Sequence, residues 1–361
     1  MTGKITIEAA GVVTALGDLE STWQGLRQGR SAITRKGLDE DLARWPAALI
    51  PDLEGSPGSG ERLDHLLNRL MADLPVLPEN TGLVAATTKG ASDELLAPEP
   101  DHWEGQPWDL GGIIAGKAGT VGRPLTVSAA CASGTLAVIN AAQQIKSGEA
   151  QSVLVVGLDL AGRFVQAGFS RLHALSREGA RPFDRDRDGL SLGEGAGYLL
   201  LTAGDSSSPL LQGWGAACDA RHITAPCREA GGLISSVEQA IEYGSRKVGA
   251  VNAHGTGTVY NDAMEMVAMD SLFEGGVPIH SVKGSIGHTL GAAGVIEAAL
   301  AVKALREGKI PPTAGLAVPE KEHWPVSGVR EQALQYPSIL TCNSGFGGIN
   351  AALLIEAGTD G

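Results

Sequence analysis

The sequence predicts an α/β fold made of two similar halves, on three observations. An apolar run, a helical segment and a second apolar run follow one another over residues 125–158. That order requires a parallel βαβ unit with a right-handed crossover. The same grammar returns beyond Val248. An internal echo links the two, because Gly134-x-x-x-Val138-Ile139-x-Ala141-Ala142 matches Gly291-x-x-x-Val295-Ile296-x-Ala298-Ala299 at an offset of 157 residues (291 − 134). Cys131 falls on His288 at that offset. A pseudo-twofold axis would then bring two equivalent strand-to-helix corners together.

The elements follow in order. Residues 4–16 predict a strand and turn, and residues 19–28 a helix that ends at Gly29. Leu63, Leu66, Leu67, Leu70 and Leu74 have helical spacing within residues 61–74, while the rest of 35–80 is irregular. Residues 81–87 form a short strand, and the Pro-rich stretch 97–110 is loop-like. Residues 135–146 give an amphipathic helix stopped by Ser147-Gly148, followed by the strand 152–158 of a fully buried type. A strand over 196–201 precedes the polar stretch 203–209, the best linker. The halves are therefore placed at 1–205 and 206–361. In the second half, strands at 248–253, 278–282, 339–342 and 351–356 alternate with helices at 264–273 and 291–306.

Bulk properties narrow the function classes. The 361 residues suffice for a large core, with 43% hydrophobic and 19% charged residues. Fifty glycines and only 4% aromatics suit tight turns and close backbone packing. A net charge of −13 with no long basic run argues against nucleic acid. The four cysteines include no C-x-x-C pair, so neither a disulfide framework nor a zinc motif is expected, and a reducing cytoplasmic setting fits. No signal pattern and no membrane-length apolar stretch are seen in the sequence.

Cys131 is the most informative residue. The apolar run ending at Ser128 meets Ala129-Ala130-Cys131-Ala132-Ser133-Gly134, a strand-to-helix corner. A thiol there faces a helix N-terminus, which favours thiolate. The small neighbours leave room for a carbonyl and for N–H donors to an oxyanion. His254 follows a strand in Asn252-Ala-His-Gly-Thr256-Gly-Thr258, and the two threonine hydroxyls suit a polar tunnel. Lys283 precedes His288 by five residues in a glycine-rich turn, a charge placed to tune an imidazole. Phe346 stands alone among glycines, as a gate or a core plug.

In order and spacing these segments resemble the elongating β-ketoacyl-acyl-carrier-protein synthases of the thiolase superfamily. Arg181-Pro-Phe-Asp, Gly345-Phe-Gly-Gly and the opening Gly11-Val-Val-Thr-Ala-Leu-Gly17 extend the match over nearly the whole chain. The resemblance implies a thiolase-like five-layer αβαβα fold, and a homodimer or a heterodimer with a related ketosynthase subunit. It implies acyl carrier protein as partner, with substrates carried on its phosphopantetheine, no resident cofactor and no metal. It also implies roles. Cys131 would be the acyl-accepting nucleophile, with His254 and His288 promoting decarboxylation of the extender. Lys283 would order the second histidine, and Glu265 would partner that lysine. Phe346 would gate the site and share the oxyanion hole with Cys131. Thr256 and Thr258 would hold the pantetheine arm, and Arg181 would meet the carrier.

Two patterns are decoys. Asp184-Arg-Asp-Arg-Asp188-Gly189 opens like an EF-hand, but loop position twelve is Gly195 rather than Glu. Gly193-x-Gly195-x-Gly197 lacks dinucleotide spacing and precedes a strand. The arginines at 177, 181, 185 and 187 are a carrier-facing patch, a solvated loop or internal ion pairs. The chain is shorter than typical family members, mainly within 35–115 and 205–245, which bears on acyl-pocket length and partner. A fatty acid or a specialised polyketide or polyene pathway is therefore open. Two alternatives fit less well. A thiolase would place a second cysteine where Phe346 stands, and a chain-length-determining subunit would lack the nucleophile.

Overall fold

The structure, a computed structural model, describes residues 3–35, 44–96, 106–204, 207–242, 247–274, 276–328 and 330–358. The expected boundary at 205/206 and most of the loop at 97–110 lie outside them. The first half comprises β1 (Ile5–Thr14), α1 (Leu19–Arg27), α2 (Gly60–Met71), β2 (Gly82–Ala86), α3 (Pro107–Ala118), β3 (Leu125–Val127), α4 (Ser133–Ser147), β4 (Ser152–Asp159), α5 (Arg163–Arg171) and β5 (Gly195–Ala203). The second comprises β6 (Leu210–Cys218), α6 (Gly231–Glu242), β7 (Ala250–Asn252), α7 (Val259–Leu272), β8 (Ile279–His280), α8 (Lys283–Ile286), α9 (Ala293–Glu307), β9 (Lys309–Ile310), β10 (Gln332–Ala333), β11 (Ser338–Gly345) and β12 (Ile349–Glu356).

The strand order is β3-β2-β4-β5-β1-β6-β12-β11-β7-β8, with β9 and β10 forming a separate ribbon. The two five-strand halves are copies. Numbered within its own half, each runs third, second, fourth, fifth, first from its outer edge. In each, the second strand is parallel to both neighbours and the fifth is antiparallel to both. The register between the halves is one residue pair, Thr6 with Leu210.

Burial on both faces of the strands explains the five layers. Along β4, Val153 and Val155 enter the central core, while Leu154, Val156 and Leu158 enter the core beneath α2 and α3. Along β12, Ala351, Leu353 and Ile355 face the central core, and Ala352 and Leu354 face the core beneath α6 and α7. Period-two alternation with apolar residues on both sides requires a helix layer on each side. The layers are α2 and α3, the first half-sheet, α4 and α9, the second half-sheet, and α6 and α7.

The two echo helices meet at their glycines. A Cβ on Gly134 would lie 2.8 Å from Gly291 O and Val295 N, and one on Gly294 would lie 2.4 Å from Thr135 N. Only hydrogen fits where these backbones cross. Gly294→Ala should therefore destabilise the fold by about 1–3 kcal/mol through overpacking and lower the melting temperature by roughly 2–6 °C. An unchanged melting temperature by calorimetry would refute that close approach.

One predicted element needs correction. Residues 107–110, expected as loop, open α3, where Pro107 occupies the first turn with its φ already helical.

Candidate active site

Cys131 stands between β3 and the start of α4. The corner is a tight elbow in which Ala130 adopts φ +49°, a conformation that suits a small side chain. The Ser133 hydroxyl braces it, donating to Ala130 O (2.6 Å) and accepting from the Ala129 N–H (2.8 Å). The β11–β12 turn closes over it. A Cβ on Gly345 would lie 3.3 Å from Cys131 N, so glycine permits that approach.

His254 follows β7, and its turn is built by Glu265 on α7. The Glu265 carboxylate accepts the N–H of His254 (2.6 Å) and of Gly255 (2.7 Å), and the Asn261 amide (2.8 Å). His288 follows α8 and opens the segment leading to α9, the position the echo assigned to it. The Cys131 sulfur and one ring nitrogen from each histidine lie within 4.8 Å of one another. The imidazoles meet edge to face, with centroids 5.2 Å apart.

The sequence expected Glu265 to partner Lys283, and the geometry corrects this. Glu265 is spent on the His254 turn. Lys283 Nζ instead pairs with Glu297 Oε1 on α9 at 2.5 Å, both side chains being buried. Nor does Lys283 order the second histidine. Its Nζ lies 3.4 Å from Nδ1 of His254, beside the Asn343 amide at 3.3 Å. Asn343 is held in turn by Glu297 (2.8 Å) and by the Thr135 hydroxyl (2.5 Å). Glu297 was missed, although a carboxylate in the apolar opening of α9 was a signal.

These contacts fix the tautomers. Nδ1 of His254 faces two donors and must accept, so its proton sits on Nε2. Nδ1 of His288 accepts the Leu290 N–H (3.3 Å), which again leaves the proton on Nε2, a buried atom with no partner among the described residues. Burial, then the Lys283 charge, holds both imidazoles well below their ordinary range, so both are neutral. Burial likewise pushes the Cys131 thiol up to about 11, outweighing the cations Lys89 and Lys283. The thiolate expected from the helix terminus is therefore not the resting form. Burial also raises Glu265, to about 8.

Both histidines keep their neutral, donating form to acid. Activity that depends on them should stay flat from pH 8 to below 6.5, the ordinary imidazole value. The unfolded chain takes up protons below about 6.5 that the two folded imidazoles refuse, so their contribution to stability is full above that pH and declines below it, whereas Glu265 contributes the opposite trend, lost as pH rises through about 8. An acid limb of the decarboxylation rate at or above pH 6.5 would contradict neutral, buried imidazoles.

A corridor of about 380 Å³ reaches this cluster from the surface. Cys131, His254 and His288 line it, with Thr256, Thr258 and Phe346. The two threonine hydroxyls are 2.9 Å apart. Phe346 is a wall of the corridor, not a core plug, and stacks on Phe169 at 5.5 Å. No sequence signal marked Phe169. Arg181 is half-buried with Nε unpartnered, and it does not line the corridor. Arg187 is buried against Asp262 (3.8 Å) and Glu320 (2.5 Å), so it belongs to internal ion pairs. Asp184 accepts the N–H groups of Ala317 and Val318. The EF-hand-like segment is thus a strap across the second half. The sulfur and two imidazoles could in principle ligate zinc. The ammonium of Lys283 at 3.4 Å from His254 opposes a further cation there.

The profile described as beta-ketoacyl synthase, N-terminal domain, matches residues 75–206, and that of the C-terminal domain matches residues 210–317. The chain belongs to the β-ketoacyl synthase family. It is 29% identical, over 98% of both chains, to 3-oxoacyl-[acyl-carrier-protein] synthase 2 of Synechocystis sp.. Among solved structures it resembles the ishigamide ketosynthase/chain length factor (28% identity, all of both chains, TM-score 0.86). It also resembles the Xenorhabdus doucetiae ketosynthase ApeO in complex with its chain length factor ApeC (25% identity, 98% of both chains, TM-score 0.80). No helix among the described residues of this β-ketoacyl synthase is long and apolar enough to cross a membrane.

Proposed function

We propose that this β-ketoacyl synthase is a 3-oxoacyl-[acyl-carrier-protein] synthase performing a decarboxylative Claisen condensation. The convergence of one thiol and two Nε2–H donors at the inner end of a single corridor carries the reading. In the first half-reaction the Cys131 sulfur attacks an acyl-carrier thioester. The tetrahedral oxyanion is held by the N–H groups of Cys131 and Phe346, and the thiol proton leaves on the departing pantetheine sulfur. In the second, malonyl carrier enters, with its arm beside Thr256 and Thr258. The C–C bond to the carboxylate breaks, carbon dioxide departs, and the electron pair becomes an enolate. The oxygen of that enolate takes hydrogen bonds from His254 and His288. The enolate carbon attacks the acyl carbonyl, the Cys131 sulfur leaves, and it regains one proton from solvent.

A soft sulfur suits this chemistry, because the acyl group must wait covalently while the second substrate enters. Decarboxylation supplies a carbon nucleophile without a strong base, consistent with two neutral imidazoles. No resident cofactor enters any step. The carrier is proposed to dock at the corridor mouth, where exposed Arg171, Arg177, Arg221 and Arg228 offset an acidic chain. Arg228 lies over the Tyr260 ring at 5.7 Å. The second subunit is another copy of this chain or, as in the two solved neighbours, a chain-length-factor-like relative. Incubation with acyl and malonyl carrier thioesters should yield a 3-oxoacyl carrier two carbons longer, read by mass. Absence of that product across a panel of primers would overturn the reading.

A further inference from the structure

Lys89 is a charge the mechanism does not use. It follows β2 in Thr87-Thr88-Lys89-Gly90, just as Cys131 follows β3 and Asp159 ends β4. Since β3, β2 and β4 are adjacent and parallel, those three turns lie side by side at the strands' carboxyl ends. That edge is where parallel sheets bind ligands. The turn is pinned in place. The Thr87 hydroxyl and the Thr88 N–H both donate to Asp159 (2.8 Å each), and the Ser128 hydroxyl donates to Thr88 O (3.0 Å). Ser128 is three residues from the nucleophile.

Charge at this edge is unevenly matched. Lys283 is answered by Glu297 in direct contact. Asp159 spends its oxygens on neutral donors, the third being the Gly291 N–H at 2.7 Å. Lys89 is half-buried and makes no hydrogen bond or ion pair among the described residues. Its ammonium is nonetheless close enough to act on Cys131, Asp159 and His288. The Thr88 hydroxyl beside it is buried and also unpartnered.

The direction of the acyl chain follows. Among the described residues, none before Cys131 lines the corridor. With a pantetheine arm filling that corridor, an acyl group pointing away from it on the sulfur would run toward the adjacent β2 turn. We propose that Lys89 is a specificity-determining residue that selects acyl groups carrying a carboxylate at their far end, a few carbons from the thioester. This rests on the condensing reading above. A half-buried ammonium repels an alkyl tail, which cannot replace its water, whereas a terminal carboxylate can pair with it directly, as Asp159, held by three neutral donors, does not.

The test compares acyl pairs of equal length: succinyl against butyryl, glutaryl against valeryl, adipyl against hexanoyl, each as a pantetheine thioester. The readout is the rate of acyl mass gain on the intact protein. The native protein should load at least one acid tenfold or more faster than its alkanoyl match. Lys89→Met should lose that preference, falling tenfold or more on the acid and holding or rising on the alkanoyl. Lys89→Arg should keep it in part. Faster alkanoyl loading at every length, or an equal change on both substrates in Lys89→Met, would overturn the inference and leave the condensing reading standing. No acyl mass on Cys131 from any thioester would instead overturn that reading, and this inference with it.

Discussion

Cys131→Ala should gain no acyl mass from any carrier thioester, and condensation should fall by roughly 10⁵-fold or more, the scale seen when a covalent nucleophile is removed. The loss is chemical, not structural. Cys131 contributes a small side chain at an elbow already braced by Ser133 and by the Gly345 approach. Alanine is tolerated at the neighbouring Ala130, which holds the strained φ of +49°. The variant should therefore melt near the native temperature. It should also continue to release carbon dioxide from malonyl carrier, since that step needs the two Nε2–H donors and not the sulfur. Mass gain on the native protein that persists in Cys131→Ala would place the acyl group elsewhere. The other free cysteines offer a check: Cys227 and Cys342 are buried and do not line the corridor, and Cys218 is exposed.

The parts of the fold legible in sequence are those where apolar pattern decides. β4 and β12 are centred on uninterrupted apolar runs, 153–158 and 351–355, and the echo of α4 in α9 reports a real crossing of backbones. Two of the missed elements, β6 and α3, share one cause, glycine where layers touch. In β6 a Cβ on Gly213 would lie 2.0 Å from Ala240 O, and one on Gly215 would lie 2.1 Å from Ser236 O, because α6 lies directly on the strand. Close packing has thus removed the side chains that would announce a strand. α3 carries Gly111, Gly112 and Gly116, which lower helix propensity, and a Cβ on Gly111 would lie 2.7 Å from the Thr126 hydroxyl. In the site, the thiol and both histidines were legible because they stand at strand-to-helix corners among small residues. The identity of the lysine's carboxylate was not. Glu265 and Glu297 are equally acceptable by type, and only the packing of α9 on β11, which sets Glu297 beside Asn343, decides which one reaches Lys283.

His254→Ala and His288→Ala should each keep acyl loading within a few fold and lose about 10²–10³-fold in decarboxylation, the cost of one preorganised oxyanion donor. Neither change should unfold the site. Glu265 binds the backbone N–H of residue 254, not its ring, and Lys283 retains Glu297 when the imidazole is gone. The backbone of residue 288 is held by Ser191 O (2.7 Å) and by the Gly193 N–H (2.9 Å), whatever its side chain. The donors must also be already aimed, because reorienting them during the reaction would cost what they return. His254 is aimed by Lys283 and Asn343 together. Asn343→Ala should therefore reduce decarboxylation in the same direction but less, since Lys283 still faces Nδ1. Retention of full carbon dioxide release from malonyl carrier by either histidine variant, measured apart from acyl loading, would show that the enolate oxygen is held by other groups. The two imidazoles would then be packing partners rather than donors.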